Sequence, residues 1–126
     1  MSKEIIYTDK APAPIGPYSQ AVKAGNFLYL SGQIPMDAAT GELVNENIQA
    51  ETTQVMKNIV ALLTQANATT ANIVKTTIFL TDMSLFAAVN EIYGSYFEKD
   101  APARETLAVK GLPRNVNVEI SVIAYL

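Results

Sequence analysis

The chain has 126 residues, of which 49% are hydrophobic, and its formal net charge is −3. This length predicts one domain over residues 1–126, and the hydrophobic fraction is sufficient for a packed core. The sequence contains no cysteine and no histidine, which excludes disulfides, thiolate catalysis and the commonest general base and metal ligands. Any chemistry is therefore expected from carboxylates, lysine, arginine, tyrosine, hydroxyls, backbone groups or water.

The distribution of charge and apolar residues also limits the expected partners. Basic residues form no run or stripe, so we do not expect nucleic acid as a partner. The first 14 residues lack the apolar core of a signal peptide, and no apolar run approaches the length of a membrane span. We therefore expect a soluble, cytoplasmic protein that does not contact a membrane.

The first half of the chain predicts two strands, a loop and a helix. Short strands are indicated over residues 18–22 and 27–32, with turn residues between them. Residues 32–45 are rich in turn formers and predict a loop. A helix is predicted over residues 46–66, because apolar side chains recur there at alternating spacings of four and three.

The second half predicts a strand, a helix and two more strands. The β-branched residues of 72–82 indicate the strand, and Asp82 or Ser84 is a candidate N-cap for the helix that follows. The last two strands are predicted near residues 104–110 and 116–125. The resulting order is ββαβαββ, an α+β domain with both helices packed on one face of the sheet.

The other sheet face would be uncovered in a single chain. In the last strand Val118 and Ile120 alternate with Glu119 and Ile123, so one set faces the helices and the other faces away. Apolar residues such as Ile123 and Tyr125 on the uncovered face indicate self-association, which would bury them.

Two charged residues in the predicted strands are candidates for chemistry. By alternation with Leu107 and Val109, Arg104 is predicted to project from the uncovered face, where its guanidinium fork could hold a small carboxylate. The alternative is a solvated arginine at a strand end. Glu119 interrupts an apolar strand on the same face, and partial burial would raise its pKa and suit it to activating water. Its alternative role is an ion pair with a basic residue of a neighbouring strand.

Weaker signals come from turn residues and one helical residue. Tyr18 and Ser31 are hydroxyls near glycines, where the backbone can approach a ligand closely, although ordinary turns have the same composition. Asn90 lies in the middle of the second predicted helix, where asparagine is unfavourable, so it either makes a specific contact or is simply exposed.

Five stretches between about residue 5 and residue 124 together match one known family. They are "APAPIGPYSQAV", "LYLSGQIPMDAATGEL", "VKTTIFLTDMSLFAAVNEIYGSYF", "PARETLAV" and "GLPRNVNVEI". In these stretches the chain resembles the RidA/YjgF reactive-intermediate deaminases, also called enamine/imine deaminases. The resemblance implies a chorismate-mutase-like fold and a homotrimer whose active sites lie in clefts between subunits.

The resemblance also implies an activity and its residues. The reaction would hydrolyse 2-imino acids such as 2-iminobutanoate and 2-iminopropanoate, which amino-acid dehydratases release, to 2-keto acids and ammonia without a cofactor or metal. By position, Arg104 would bind the substrate carboxylate and Glu119 would position the attacking water. The residues implied to bind substrate beside them are Tyr18, Ser31, Gly32 and Asn90. The alternative is a non-catalytic trimer that regulates or binds 2-keto acids, since fold alone does not determine activity.

One residue departs from the family's pattern. A small residue usually follows the arginine, but this chain has Glu105. Alternation with Leu107 and Val109 predicts that Glu105 points toward the core. If a bulge instead turned it toward Arg104, its charge would compete with a substrate carboxylate.

Overall fold

The computed structural model describes residues 2–126, which form one six-stranded sheet and two α-helices. The helices are α1 (Ile48–Gln65) and α2 (Phe86–Gly94). The strands are β1 (Glu4–Ile6), β2 (Ala21–Ala24), β3 (Phe27–Leu30), β4 (Ile73–Leu80), β5 (Ala103–Ala108) and β6 (Val118–Tyr125). The predicted α+β class and element order are confirmed, with one addition: the prediction missed β1, whose three residues are too few to show a periodic pattern.

The sheet order is β1-β2-β3-β6-β4-β5, and every neighbouring pair is antiparallel except β4 and β5. The parallel pair is joined through α2, as a parallel connection requires a crossover. This crossover leaves β5 at one edge of the sheet, next to α2.

Helix α1 supplies the main layer over the sheet. The side chain of Asn47 caps it by accepting a 2.7 Å hydrogen bond from the backbone N–H of Ala50. Its apolar stripe, including Val55, Ile59 and Leu62, is fully buried in the core, and each such side chain contributes about 1.5–3 kcal/mol by leaving water. In residues 2–126, neither helix combines the length and apolar content that crossing a bilayer would require.

The strands of the sheet have one covered and one open face. On β6, Val118, Ile120, Val122 and Ala124 are buried beneath the helices, as predicted. The alternate residues lie on what we call the open face, which also carries Phe27, Tyr29, Leu107 and Tyr125. These four side chains are 39%, 45%, 42% and 50% exposed in the single chain. The open face is therefore apolar enough to be an interaction surface.

The predicted directions of Arg104 and Glu105 are wrong. In the β4–β5 register Arg104 lies beside Thr76, which is fully buried on the covered face, and Glu105 lies beside Thr77. Arg104 therefore faces α2, while Glu105 faces outward on the open face with Leu107. The prediction failed because it assigned apolar Leu107 to the core, whereas the open face is itself apolar beside β5.

Candidate functional site

A pocket of about 330 Å³ lies on the open face where the loop of residues 11–17, which contains three prolines, meets β6. Seven residues line it: Ile15, Tyr18, Ser31, Gly32, Ile34, Pro113 and Glu119. Four of the residues singled out from the sequence, Tyr18, Ser31, Gly32 and Glu119, are thus brought together. We call this set the glutamate pocket.

Glu119 supplies the carboxylate of the glutamate pocket. It lies in β6 opposite Phe79 of β4, and burial raises the pKa of its carboxyl above the usual range. Across residues 2–126 no lysine or arginine nitrogen lies within 4.0 Å of this carboxylate. The ion-pair alternative is therefore not what the single chain shows, and Glu119 is available as a base.

Gly32 allows Glu119 to lie where it does. A Cβ atom at position 32 would overlap the Oε2 atom of Glu119 and approach its Cδ to 2.7 Å. The segment containing Gly32 is fixed alongside β6 because Gln33 and Ile120 exchange backbone hydrogen bonds of 2.8 and 3.1 Å. The carboxylate therefore packs directly on a backbone that must lack a side chain.

A buried glutamine holds the loop that carries Tyr18. The side-chain oxygen of Gln20 accepts from the N–H of Thr8 at 2.8 Å, and its amide nitrogen donates to the carbonyls of Thr8, Ala11 and Pro12. Nearby, the hydroxyl of Ser31 donates a 2.6 Å hydrogen bond to the carbonyl of Ser19. The loop of residues 11–17 is thus anchored by a residue whose role the sequence did not indicate.

A second buried polar contact fixes the start of β6. Glu51 of α1 is 1% exposed, and its carboxylate accepts from the backbone N–H of Asn117 at 3.0 Å and from its side-chain amide at 2.8 Å. Asn117 stands two residues before Glu119. The sequence did not predict this contact: the helical pattern places Glu51 on the polar side of α1, away from the apolar stripe, whereas the structure buries it.

Arg104 belongs to a separate set of residues beside α2. Its Nη1 donates a 2.7 Å hydrogen bond to Oδ1 of Asn90, so the mid-helix asparagine does make a specific contact. The guanidinium carbon lies 5.5 Å from the ring centre of Phe86 and 5.2 Å from that of Tyr93. We call Arg104, Asn90, Phe86 and Tyr93 the arginine cradle.

The glutamate pocket and the arginine cradle do not meet within one chain. Glu119 in β6 and Arg104 in β5 are separated by the intervening β4, which sets the strands about 10 Å apart. They also lie on opposite faces of the sheet, since Glu119 registers with Phe79 and Arg104 with Thr76. Arg104 and Glu119 can therefore act on the same small molecule only if they come from two different copies of the chain.

Glu105 does not reach Arg104. On the open face its carboxylate forms a 3.0 Å ion pair with Lys75 and accepts a 2.6 Å hydrogen bond from the hydroxyl of Thr77. The bond from Thr77 and the adjacent Lys75 lower the pKa of Glu105 below its usual range. Competition with a carboxylate bound to Arg104 is thereby excluded in this chain.

Thr106 is a polar residue that the sequence did not single out. It follows Arg104 on the covered face of β5, and its buried hydroxyl has no hydrogen-bond partner among residues 2–126. A hydroxyl that loses water without gaining a partner is unfavourable to the folded state.

The Thr106→Val variant should accordingly be more stable than the wild type by about 1 kcal/mol, because valine has the same shape and a similar strand preference. Urea denaturation at fixed protein concentration measures the change. Thr77→Val is the matched control and should be destabilised, because the Thr77 hydroxyl donates to Glu105. A loss of stability in Thr106→Val would contradict the prediction and show that the hydroxyl finds a partner in solution.

Across residues 2–126, no group of three or more acidic side chains lies close enough together to hold a metal ion. The fold, the glutamate pocket and the arginine cradle together define a small α+β protein with a polar pocket on its sheet. The profile of the family described as Endoribonuclease L-PSP matches residues 8–126. The chain belongs to this family, which is the RidA/YjgF family.

Known proteins of the family resemble the chain along nearly its whole length. The Reactive Intermediate Deaminase A of Arabidopsis thaliana chloroplasts is 46% identical, covering 100% of this chain and 67% of that protein. A Rid-family structure from Yersinia pestis, described as a protein of unknown function, is 49% identical with a TM-score of 0.97, covering 99% and 100% of the two chains. TdcF of E. coli, solved with bound serine, is 38% identical with a TM-score of 0.92 and covers 98% of each chain.

Proposed function

We propose that the chain is a cofactor-independent deaminase of small 2-imino acids, with 2-iminobutanoate and 2-iminopropanoate as substrates. The observation that carries the proposal is Glu119, a carboxylate of raised pKa set against Gly32 in a pocket with Tyr18 and Ser31. Membership of a family that includes a reactive intermediate deaminase supports it, and so does the similar structure of TdcF, which was solved with bound serine.

The proposed site is composite. We propose that three copies pack with their open faces inward and with the β5 edge of each copy against the neighbouring copy. Because the arginine cradle lies beside that edge, it would adjoin the glutamate pocket of the next copy. The exposed apolar side chains of the open face support the assembly, because their burial would stabilise it. The opposite directions of Arg104 and Glu119 support a site shared between copies, since one chain alone separates them.

The proposed reaction is the addition of water to the C=N carbon. Arg104 holds the carboxylate of the imino acid and so orients the adjacent carbon. Glu119 accepts a proton from water as the water oxygen bonds to that carbon, giving a carbinolamine. Glu119 returns this proton to the nitrogen, which becomes the amino group of the carbinolamine. The carbinolamine hydroxyl then passes its own proton to that amino group by way of Glu119, and the C–N bond breaks as the C=O bond forms. Ammonia departs and leaves the 2-keto acid. A carboxylate whose pKa is raised by burial is a stronger base for the first step.

The description of the family as endoribonuclease suggests RNA as another substrate. We favour a small imine, because the net charge of −3 opposes RNA, whose binding is dominated by neutralisation of phosphates. Incubation of the chain with a labelled RNA at low salt tests this choice directly. Cleavage that depends on Glu119 would favour the ribonuclease.

Keto-acid formation from freshly generated imine tests the deaminase. A serine/threonine dehydratase supplies the imine, and the wild-type chain should accelerate the appearance of the keto acid. Arg104→Ala should reduce this acceleration about 100-fold, because the substrate loses its anchor and orientation. Absence of any acceleration by the wild type would contradict the deaminase and leave keto-acid binding as the alternative function.

The adjacent residue provides the control for this experiment. Glu105→Ser should retain the wild-type acceleration, because Glu105 lies on the opposite face of β5 from Arg104. The two variants change neighbouring residues in the sequence and so differ chiefly in the face of the sheet they affect. Equal losses in both would point to a general disturbance of β5 rather than loss of a substrate anchor.

A further inference from the structure

We propose that Phe86 and Tyr93 are positioning residues that hold the guanidinium of Arg104 in a single orientation for an incoming carboxylate. The proposal rests on the function proposed above. It adds two aromatic side chains of α2 that were not among the candidate residues named from the sequence.

The cradle is built by the periodicity of α2. Phe86, Asn90 and Tyr93 are spaced by four and three residues, so they project from the same side of the helix. That side faces the edge strand β5, where Arg104 points toward it. The guanidinium consequently contacts two aromatic rings and the asparagine carbonyl at once.

Tyr93 is itself locked in place. It is 4% exposed, and its hydroxyl donates a 2.9 Å hydrogen bond to the hydroxyl of Thr76. Thr76 is the residue of β4 that pairs with Arg104 of β5. The Tyr93 ring is therefore held by β4 and contacts an arginine on the neighbouring strand β5. Helix α2 and strand β4 together determine where the ring lies, and the ring limits where the guanidinium can go.

The contacts leave part of the guanidinium free for a ligand. Asn90 accepts from Nη1, and across residues 2–126 no carboxylate oxygen lies within 4.0 Å of Arg104. An arginine has five N–H donors in a rigid plane, so the donors not used by Asn90 can bind a carboxylate through two parallel bonds. Stacked rings fix the plane of those donors and reduce the freedom lost when the ligand binds.

The cradle also explains why a charged side chain lies on the covered face. A guanidinium is weakly hydrated and stacks well on aromatic rings, whereas the ammonium of a lysine is a compact, strongly hydrated charge. Phe86 is 38% exposed, so the cradle lies at the rim of the core rather than inside it. Its ligand can therefore enter without displacing core residues.

The test measures the binding of 2-oxobutanoate by NMR titration. This 2-keto acid carries the same carboxylate group as the proposed substrate. Phe86→Leu should raise the dissociation constant about fivefold, because it removes one stacking partner. Tyr93→Phe keeps the ring but removes its bond to Thr76, and should raise the constant by about twofold to threefold. Binding of 2-oxobutanamide, which lacks the negative charge, should change in neither variant.

A second readout reports on the arginine without a ligand. In the wild type the Nε–H proton of Arg104 should exchange slowly with water, and in Phe86→Leu it should exchange faster. Tyr96→Leu is the matched control, since this tyrosine lies two residues after the end of α2 and also packs against the core, but is not one of the rings over Arg104.

The outcomes separate this proposal from the deaminase. Unchanged affinity and exchange in Phe86→Leu, or equal changes in Tyr96→Leu, would overturn the cradle even if the wild type is an active deaminase. A wild type that binds no 2-oxobutanoate would overturn the substrate anchor. Slow Arg104 exchange that is lost in Phe86→Leu would still support the aromatic hold on the guanidinium.

Discussion

The Gly32→Ala variant should lose about 100-fold in deaminase activity while it keeps nearly the stability of the wild type. The added methyl group would occupy the position of the Glu119 carboxylate, which must then rotate away. Glu119 is only half-buried and its carboxylate ends a flexible side chain, so the rotation is cheap for the fold. It is harmful to the reaction, because the proposed base would no longer lie beside the substrate.

Gly94→Ala is the matched control for this prediction. A Cβ at position 94, the last residue of α2, would meet no atom within 4 Å. Alanine there should leave the activity unchanged and stabilise the fold by about 0.5–1 kcal/mol, because alanine loses less conformational freedom than glycine in a helix. The comparison uses thermal unfolding together with the dehydratase-coupled assay. Full activity in Gly32→Ala would remove Glu119 from the proposed chemistry.

Much of the fold could be predicted from local patterns. The stripe of α1 and the alternation of β6 are strong periodic signals, and the structure confirms both. Each pattern identifies the side that faces the core, because the residues on that side are apolar and the residues on the opposite side include polar ones. Strand β1 could not be predicted in this way, since pairing with β2 rather than any pattern of its own defines it.

The faces to which the β5 side chains point could not be predicted in the same way. Alternation requires knowledge of which face is apolar, and here Leu107 lies on the open face beside Phe79. The large apolar side chain of this edge strand is on the open face, and Arg104 and Thr106 are on the covered face, so alternation alone does not identify the side that faces the core. The error exchanged the faces predicted for Arg104 and Glu105. Because Glu105 in fact lies on the opposite face of β5 from Arg104, it does not compete for a carboxylate bound there.

The resemblance implied from the sequence that the candidate residues share a site between subunits, but their division into two groups within one chain was not predicted. Tyr18, Ser31, Gly32 and Glu119 meet because the 31–33 segment bonds to β6, a long-range pairing that no local spacing encodes. Asn90 and Arg104 meet because α2 crosses over to β5. That these two groups lie on opposite faces is a property of sheet register alone.

The separation of the two groups leads to the second large effect. Arg104→Ala and Glu119→Gln should each be nearly inactive as pure proteins, with losses of about 100-fold or more. When equal amounts are unfolded together and refolded, mixed trimers should recover about one quarter of the wild-type activity. A quarter is expected because a shared site works only if Arg104 is intact on one copy and Glu119 on its neighbour, each with a chance of one half.

Two controls give the recovery its meaning. Each variant refolded alone should remain inactive, and sedimentation should show that the mixture and the wild type both form the proposed trimer. Recovery with both controls satisfied requires sites built from two copies, because no single chain in the mixture has both residues. A mixture that forms trimers but stays inactive would contradict the shared site and require Arg104 and Glu119 to act from the same copy. The sheet register opposes a site formed by Arg104 and Glu119 of the same copy, since β4 and the thickness of the sheet lie between the two side chains.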